Sequence, residues 1–163
     1  MSAPIAELEK LLTALVKEHQ LLCDAVQLHQ DAMRKFKPEE LAAAQAAVES
    51  SRTRILSHES RRRVVVQQVA RLHKLPANAS LQQIADVAPQ YRKNLLKLRD
   101  DLKVLTAQIS RKTNVSAKVA GAMLGHLNTV VRVVAGAVQQ AAVYTKQGMP
   151  TVAARIGVME AVA

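Results

Sequence analysis

The sequence predicts an all-α protein: an elongated antiparallel bundle of three long helices plus one short helix, with a mobile C-terminal tail. Three observations carry that expectation. Apolar residues recur three and four apart along most of the chain, the spacing that returns side chains to one side of an α-helix. The 163 residues include only five Gly and five Pro against abundant Ala and Leu, so helix breakers are few. Pro38, Pro76, Pro89 and Pro150 fall between the periodic stretches rather than inside them.

The first helix is expected over about 4–36. Ile5, Leu8, Leu12, Leu15, Leu22, Val26, Met33 and Phe36 share its apolar face, with His19 and His29 in the same frame. Pro38 suits the first turn of a second helix, 38–74, where Glu39 and Glu40 place negative charge against the helix N-terminus. Leu41, Ala44, Val48, Ile55, Val65, Val69 and Leu72 lie on one face of it. Ser51, His58 and Arg62 interrupt that face, so looser packing is expected in its middle. A loop at 75–78 follows. Ser80-Leu81-Gln82-Gln83 then reads as a capping box, in which the Ser hydroxyl and the Gln side chain reciprocally satisfy free N–H groups, opening a short helix over 81–87.

After Pro89 comes the longest stretch, 90–143, which at 1.5 Å per residue would extend roughly 80 Å. Tyr91, Leu95, Leu98, Leu102, Leu105 and Ile109 form a heptad-like seam that continues through Val119, Met123, Val130, Val133 and Ala137. Lys112, Ser116 and His126 also fall on it. Beyond Val119 a second stripe appears: Leu124, Leu127, Val131, Val134 and Val138. One stripe needs one neighbour, whereas two need more cover, from this chain or from another protein. Those five residues are therefore the candidate surface for a partner's amphipathic helix. They would equally fill an internal core. The bundle domain is expected to span 1–143. Gly148 and Pro150 stop regular helix in the 144–163 tail.

Composition narrows the function classes. Phe36, Tyr91 and Tyr144 are the only aromatic residues, so the core must be aliphatic. The single Cys23 allows no internal disulfide and suits a reducing cytosol. Residues 1–20 do not read as a signal peptide, because Glu7, Glu9, Lys10, Lys17 and Glu18 break any apolar run. The Asn78-Ala79-Ser80 sequon is accordingly expected to be accidental. The most apolar window, 119–143, carries His126, Asn128 and Arg132 in its middle, where polar groups are expensive in lipid. Gly121-x-x-x-Gly125 there is a pattern for close helix packing.

The net charge of +10 raises a second reading, a basic helical bundle that binds nucleic acid or an anionic membrane surface. Only Arg61-Arg62-Arg63 is a tight cluster, and no aromatics interleave with the basic residues to stack bases. Catalytic and metal-ligating patterns are not found. His58-Glu59 starts like a zinc-protease motif without its second His, and adjacent Asp100 and Asp101 point in different directions around a helix. No phosphate-cradling glycine loop is present, and Cys23 has no activating base near it in sequence. No catalytic residue, metal site, cofactor or small-molecule substrate is expected.

An ordered set of short motifs resembles the FlgN family of flagellar export chaperones. It begins with Leu11-Leu12-Thr13-Ala14-Leu15 followed by Glu18 and Leu22, then the helix start Lys37-Pro38-Glu39-Glu40-Leu41. Next come Ser80-Leu81-Gln82-Gln83-Ile84, Pro89, Leu95 with Leu98-Arg99, Leu102 with Leu105, and Thr113-Asn114 in the last long helix. The set ends at Tyr144-Thr145-Lys146-Gln147-Gly148. The resemblance implies a non-enzymatic cytoplasmic chaperone for hook-associated (hook–filament junction) proteins. It would hold their C-terminal segments and deliver them to the flagellar type III export gate, with the export ATPase complex as a further docking partner. The client-binding region it implies is the C-terminal half of the long helix, where Leu124, Leu127, Val131, Val134 and Val138 lie. Tyr144 would contact the export gate, the alternative being that it packs the end of the bundle. One departure is charge: family members are commonly acidic and this chain is basic. The Ala/Val/Gly-rich stretch 115–143 also suits self-association, so a homo-oligomer is a further expectation.

Overall fold

The structure, a computed structural model, describes the backbone of residues 3–142 and the side chains of residues 3–136. Four helices follow in order: α1 (Ala3–Arg34), α2 (Pro38–Leu72), α3 (Leu81–Val87) and α4 (Pro89–Ala142). All four lie within two residues of the limits read from apolar spacing and proline placement. The described chain divides into two units, one ending at Val119 and the other beginning at Ala120.

Helix ends show why the chain turns where it does. At the end of α1, Lys37 N–H donates to the Ala32 carbonyl and Phe36 N–H to that of Met33, while Phe36 adopts φ 53°. This is a Schellman closure with the left-handed position filled by phenylalanine instead of glycine. Phe36 was expected on the apolar face of the first helix. It lies instead one residue beyond the C-cap and is 76% exposed, because the closing turn rotates it off the helical frame. α2 ends the same way: Leu75 N–H bonds the Ala70 carbonyl, Lys74 N–H bonds that of Arg71, and Lys74 holds φ 54°.

The expected capping box opens α3. Gln83 N–H donates to Ser80 Oγ at 3.2 Å, and Ser80 N–H donates to Gln83 Oε1 at 2.9 Å.

Side-chain pairs set the register of the first unit. Glu18 meets Arg54 at 2.8 Å and Glu7 meets Arg61 at 3.6 Å, so α1 and α2 run antiparallel. Asn94 donates to Glu9 at 2.8 Å, the Cys23 thiol approaches Gln108 Oε1 at 3.9 Å, and the Gln30 amide reaches the Lys112 carbonyl. These rising pairs make α4 parallel to α1, with a separation of 85 residues at the first two. Carried along, that offset sets Arg34, the last residue of α1, level with Val119. The first unit ends there.

The core sits toward the start of α1. Ile5, Leu8, Leu11, Leu12 and Leu15 pack with Val65, Val66, Val69 and Ala70 of α2, Ile84 and Ala85 of α3, and Leu95 of α4. Aliphatic branching fills the space that aromatics would otherwise occupy, as the composition requires. Further along, Leu22, Ala25, Val26 and Met33 are buried on α1, with Ala44 and Ser51 on α2 and Leu105 on α4. The α2 residues here are small. The looser packing expected in the middle of α2 is present, since none of its residues between Ser51 and Val65 is buried; Ser51 itself is buried, its Oγ accepting a hydrogen bond from Arg54 at 3.3 Å.

Candidate functional site

Residues 120–142 of α4 form the described part of the second unit, and there is no proline in them to break the helix. The large apolar side chains from Leu124 to Val134 are exposed. Leu124, Leu127, Val131 and Val134, four of the five second-stripe residues, are between 55% and 63% exposed. The side chain of Val138 and the whole of Tyr144 lie outside the described residues. Val130 and Val133, which the pattern assigns to the continuing seam, are exposed to the same degree. The apolar surface is therefore wider than the second stripe alone. The missed signal was length: α1 has 32 residues and α4 has 54, so α1 cannot partner all of it.

At 100° per residue, Leu124 and Val133 stand at opposite edges of an apolar arc of about 180°. Val130, Val134, Leu127 and Val131 lie within it, with the half-buried Met123 among them, and His126 interrupts it between Val133 and Val130. The remaining arc holds Gly121, Ala122, Gly125, Asn128, Thr129, Arg132, Ala135 and Gly136. No neighbouring atom lies within 4 Å of where a Cβ would sit on Gly121 or Gly125, so the small-residue pair faces open space rather than a packed helix. α4 also contains a window long and apolar enough to cross a membrane by length and composition. His126 and Arg132 interrupt this part of the helix.

What the arrangement presents is an exposed hydrophobic face. The largest contiguous exposed apolar patches of soluble proteins mark interaction sites, and a helix with a half-cylinder of apolar surface presents anchors to other helices.

The remaining candidates stay apart. Among the described residues, no three His, Cys, Asp or Glu gather where they could hold a metal. His19 Nδ1 lies 2.8 Å from the Leu15 carbonyl, one turn back on its own helix, while His58 Nδ1 and His73 Nε2 are each buried without a partner. Asp100 pairs with Arg99 at 2.9 Å, and that hydrogen bond holds its carboxyl below the usual range. Asp101 takes no part in it. In the basic cluster, Arg61 is held by Glu7 and Arg62 by both oxygens of Glu59, which leaves Arg63 without an ion pair among the described residues. A small cleft between helices, lined by His19, Leu22, Arg52, Ile55, Leu56, Thr106 and Ile109, is mainly apolar, and its polar side chains are the His19 ring, the Arg52 guanidinium and the Thr106 hydroxyl.

The FlgN family model, described as FlgN protein, matches residues 1–151, which takes in every described helix. No curated protein and no solved structure matches the chain. The ordered helices, the capping box between α2 and α4 and the family match agree: the chain belongs to the FlgN family, a family of flagellar export chaperones.

Proposed function

We propose that this chaperone binds the C-terminal segments of hook-associated (hook–filament junction) proteins on the distal part of α4 and delivers them to the flagellar type III export gate in the cytoplasm. The observation that carries this reading is the exposure of Leu124, Leu127, Val130, Val131, Val133 and Val134 along one half of a helix. A client helix laid against that face removes apolar surface from water on both partners and keeps an aggregation-prone segment covered until export. Tyr144 is assigned the contact with the gate, and the export ATPase complex is a further docking partner. Nothing in this role calls for catalysis or a cofactor.

Exposure makes the test clean, because these side chains contribute little to the stability of the free chain. Binding of C-terminal peptides from junction proteins is measured by calorimetry for the native chain and for Leu127→Asp and Val134→Asp. The expected result is saturable binding that weakens roughly thirtyfold or more in each variant, the equivalent of one lost apolar anchor of about 2 kcal/mol. Thermal unfolding should be unchanged. No binding by the native chain, or equal binding by the variants, would overturn the assignment.

A further inference from the structure

The first unit leaves an apolar space unfilled where the packing of α2 thins. No α2 residue between Ser51 and Val65 is buried, and the cleft described above opens in that stretch, between the levels of the Glu18–Arg54 and Cys23–Gln108 pairs. Its volume is about 220 Å³. An apolar cavity of about 150 Å³ takes a benzene ring, so this space suits a larger, bicyclic ring and not a whole peptide segment. Leu22, Ile55 and Ile109 supply apolar lining, and Leu56, 70% exposed, stands at the rim.

The polar groups of the lining decide what that ring carries. A backbone carbonyl can only accept, so the 2.8 Å contact between His19 Nδ1 and the Leu15 carbonyl places the hydrogen on Nδ1. The neutral ring then keeps Nε2 as an acceptor. Thr106 Oγ1 donates to the Leu102 carbonyl at 2.8 Å, which leaves its oxygen with accepting capacity only. An aliphatic occupant would cut Nε2 off from water with no donor in exchange. A carboxylate would gain Arg52 but would set its lone pairs against Nε2 and meet the charge of Glu49. An indole brings a broad apolar ring and a single N–H that donates and cannot accept. Arg52 adds a cation: it is held by Glu49 only at 3.5 Å, with both side chains mostly exposed, so its guanidinium is free to lie over an aromatic face. The 163 residues contain no Trp to fill the cleft themselves.

We propose that this cleft receives the indole ring of a partner protein's tryptophan, with the indole N–H donating to His19 Nε2 and Arg52 lying over the ring. His19 takes the hydrogen bond rather than Thr106 because its ring is part-buried, whereas the Thr106 hydroxyl is exposed to water. The contact lies wholly in the first unit, so it stands or falls separately from the client reading of residues 120–136.

The test is methyl NMR of the full chain, titrated with N-acetyltryptophanamide, its 1-methylindole analogue, N-acetylleucinamide and free indole. The tryptophan amide is expected to shift the methyl signals of Leu22, Ile55, Leu56 and Ile109 saturably, with a Kd on the order of 1 mM for so small a ligand. Because the chain has no Trp, a blue shift of the ligand's own fluorescence gives an independent reading. Methylating the indole nitrogen should weaken binding roughly fivefold. His19→Phe should weaken the tryptophan amide by the same factor and leave the methylated analogue unaffected. Leu56→Asp, on the exposed rim, should weaken every aromatic ligand with thermal unfolding unchanged, which keeps the location testable if His19→Phe does not fold.

No methyl shifts, or shifts confined to other residues, would overturn the site. Equal affinity for the leucine amide or for the methylated analogue would overturn the indole assignment. Tighter binding of free indole than of the tryptophan amide would overturn the partner side chain in favour of a small molecule.

Discussion

Leu95 and Leu127 lie on the same helix, in stretches of the same apolar period, and their surroundings are opposite. Leu95 is completely buried among residues of α1, α2 and α3, whereas Leu127 is 58% exposed. The unit ending at Val119 uses its apolar spacing to build a core; residues 120–136 use it to display a face. Periodicity states which side chains share a side of a helix. It does not state what stands opposite, and that is decided by the length of the neighbouring helices.

The comparison is broken or sharpened most strongly at those two residues. Leu95→Ala should destabilise the fold by about 3 kcal/mol, through lost burial and the cavity left behind. Leu127→Ala should change stability by less than about 0.5 kcal/mol, as surface substitutions do. Urea unfolding of both variants measures the contrast directly. Equal losses would mean that residue 127 is core, and the distinction between the two regions would fall.

A smaller effect, of opposite sign, is expected at the helix ends of the first unit. Phe36 and Lys74 occupy left-handed backbone positions that cost a residue with a Cβ roughly 1 kcal/mol. Phe36→Gly should therefore raise the stability of the first unit by about 1 kcal/mol and shift its urea midpoint upward. Because Phe36 is mostly exposed, little packing is lost in exchange. A downward shift would show that the ring contributes contacts its exposure does not suggest.

The smallest effect belongs to Asp100. The hydrogen bond from Arg99, followed by charge attraction from Arg99 and Lys103, lowers its carboxyl pKa on folding, against an opposing contribution from desolvation. A lowered pKa contributes stability above the unfolded value, and that contribution disappears as pH falls through the folded one. Asp100→Asn should leave unfolding at neutral pH almost unchanged and slightly flatten the decline on the acid side. An unaltered acid profile would show that this exposed pair adds nothing measurable.

Much of the fold was legible because its signals are local. Pro38 and Pro89 sit at the first positions of their helices, the Ser80–Gln83 box marks the start of α3, and three/four spacing separates the rest. Phe36 was misread because a Schellman turn reverses the chain direction within two residues and takes the ring out of phase. The looser middle of α2 was legible in its polar interruptions, since no residue between Ser51 and Val65 is buried; Ser51 itself is buried because a small polar side chain fits between helices where a neighbouring Arg satisfies its oxygen. Half of the exposed arc was legible as a second stripe. Val130 and Val133 were missed, since nothing in their own neighbourhood reveals that the offset of 85 residues exhausts α1 near Val119.

The open surroundings of Gly121 and Gly125 have a consequence for timescale. Glycine lowers helix propensity by about 1 kcal/mol relative to alanine, and a helix segment whose apolar face is uncovered gains little from tertiary packing. Backbone amides around Leu95 should then exchange with solvent only through large openings, while those of residues 120–136 exchange by local fraying. On the proposed reading, a bound client would close that gap by supplying the missing cover. Part of the interaction free energy of such a client would go into holding this helix wound, so affinity and helix winding would be linked, and each glycine in the segment would weaken the first by loosening the second.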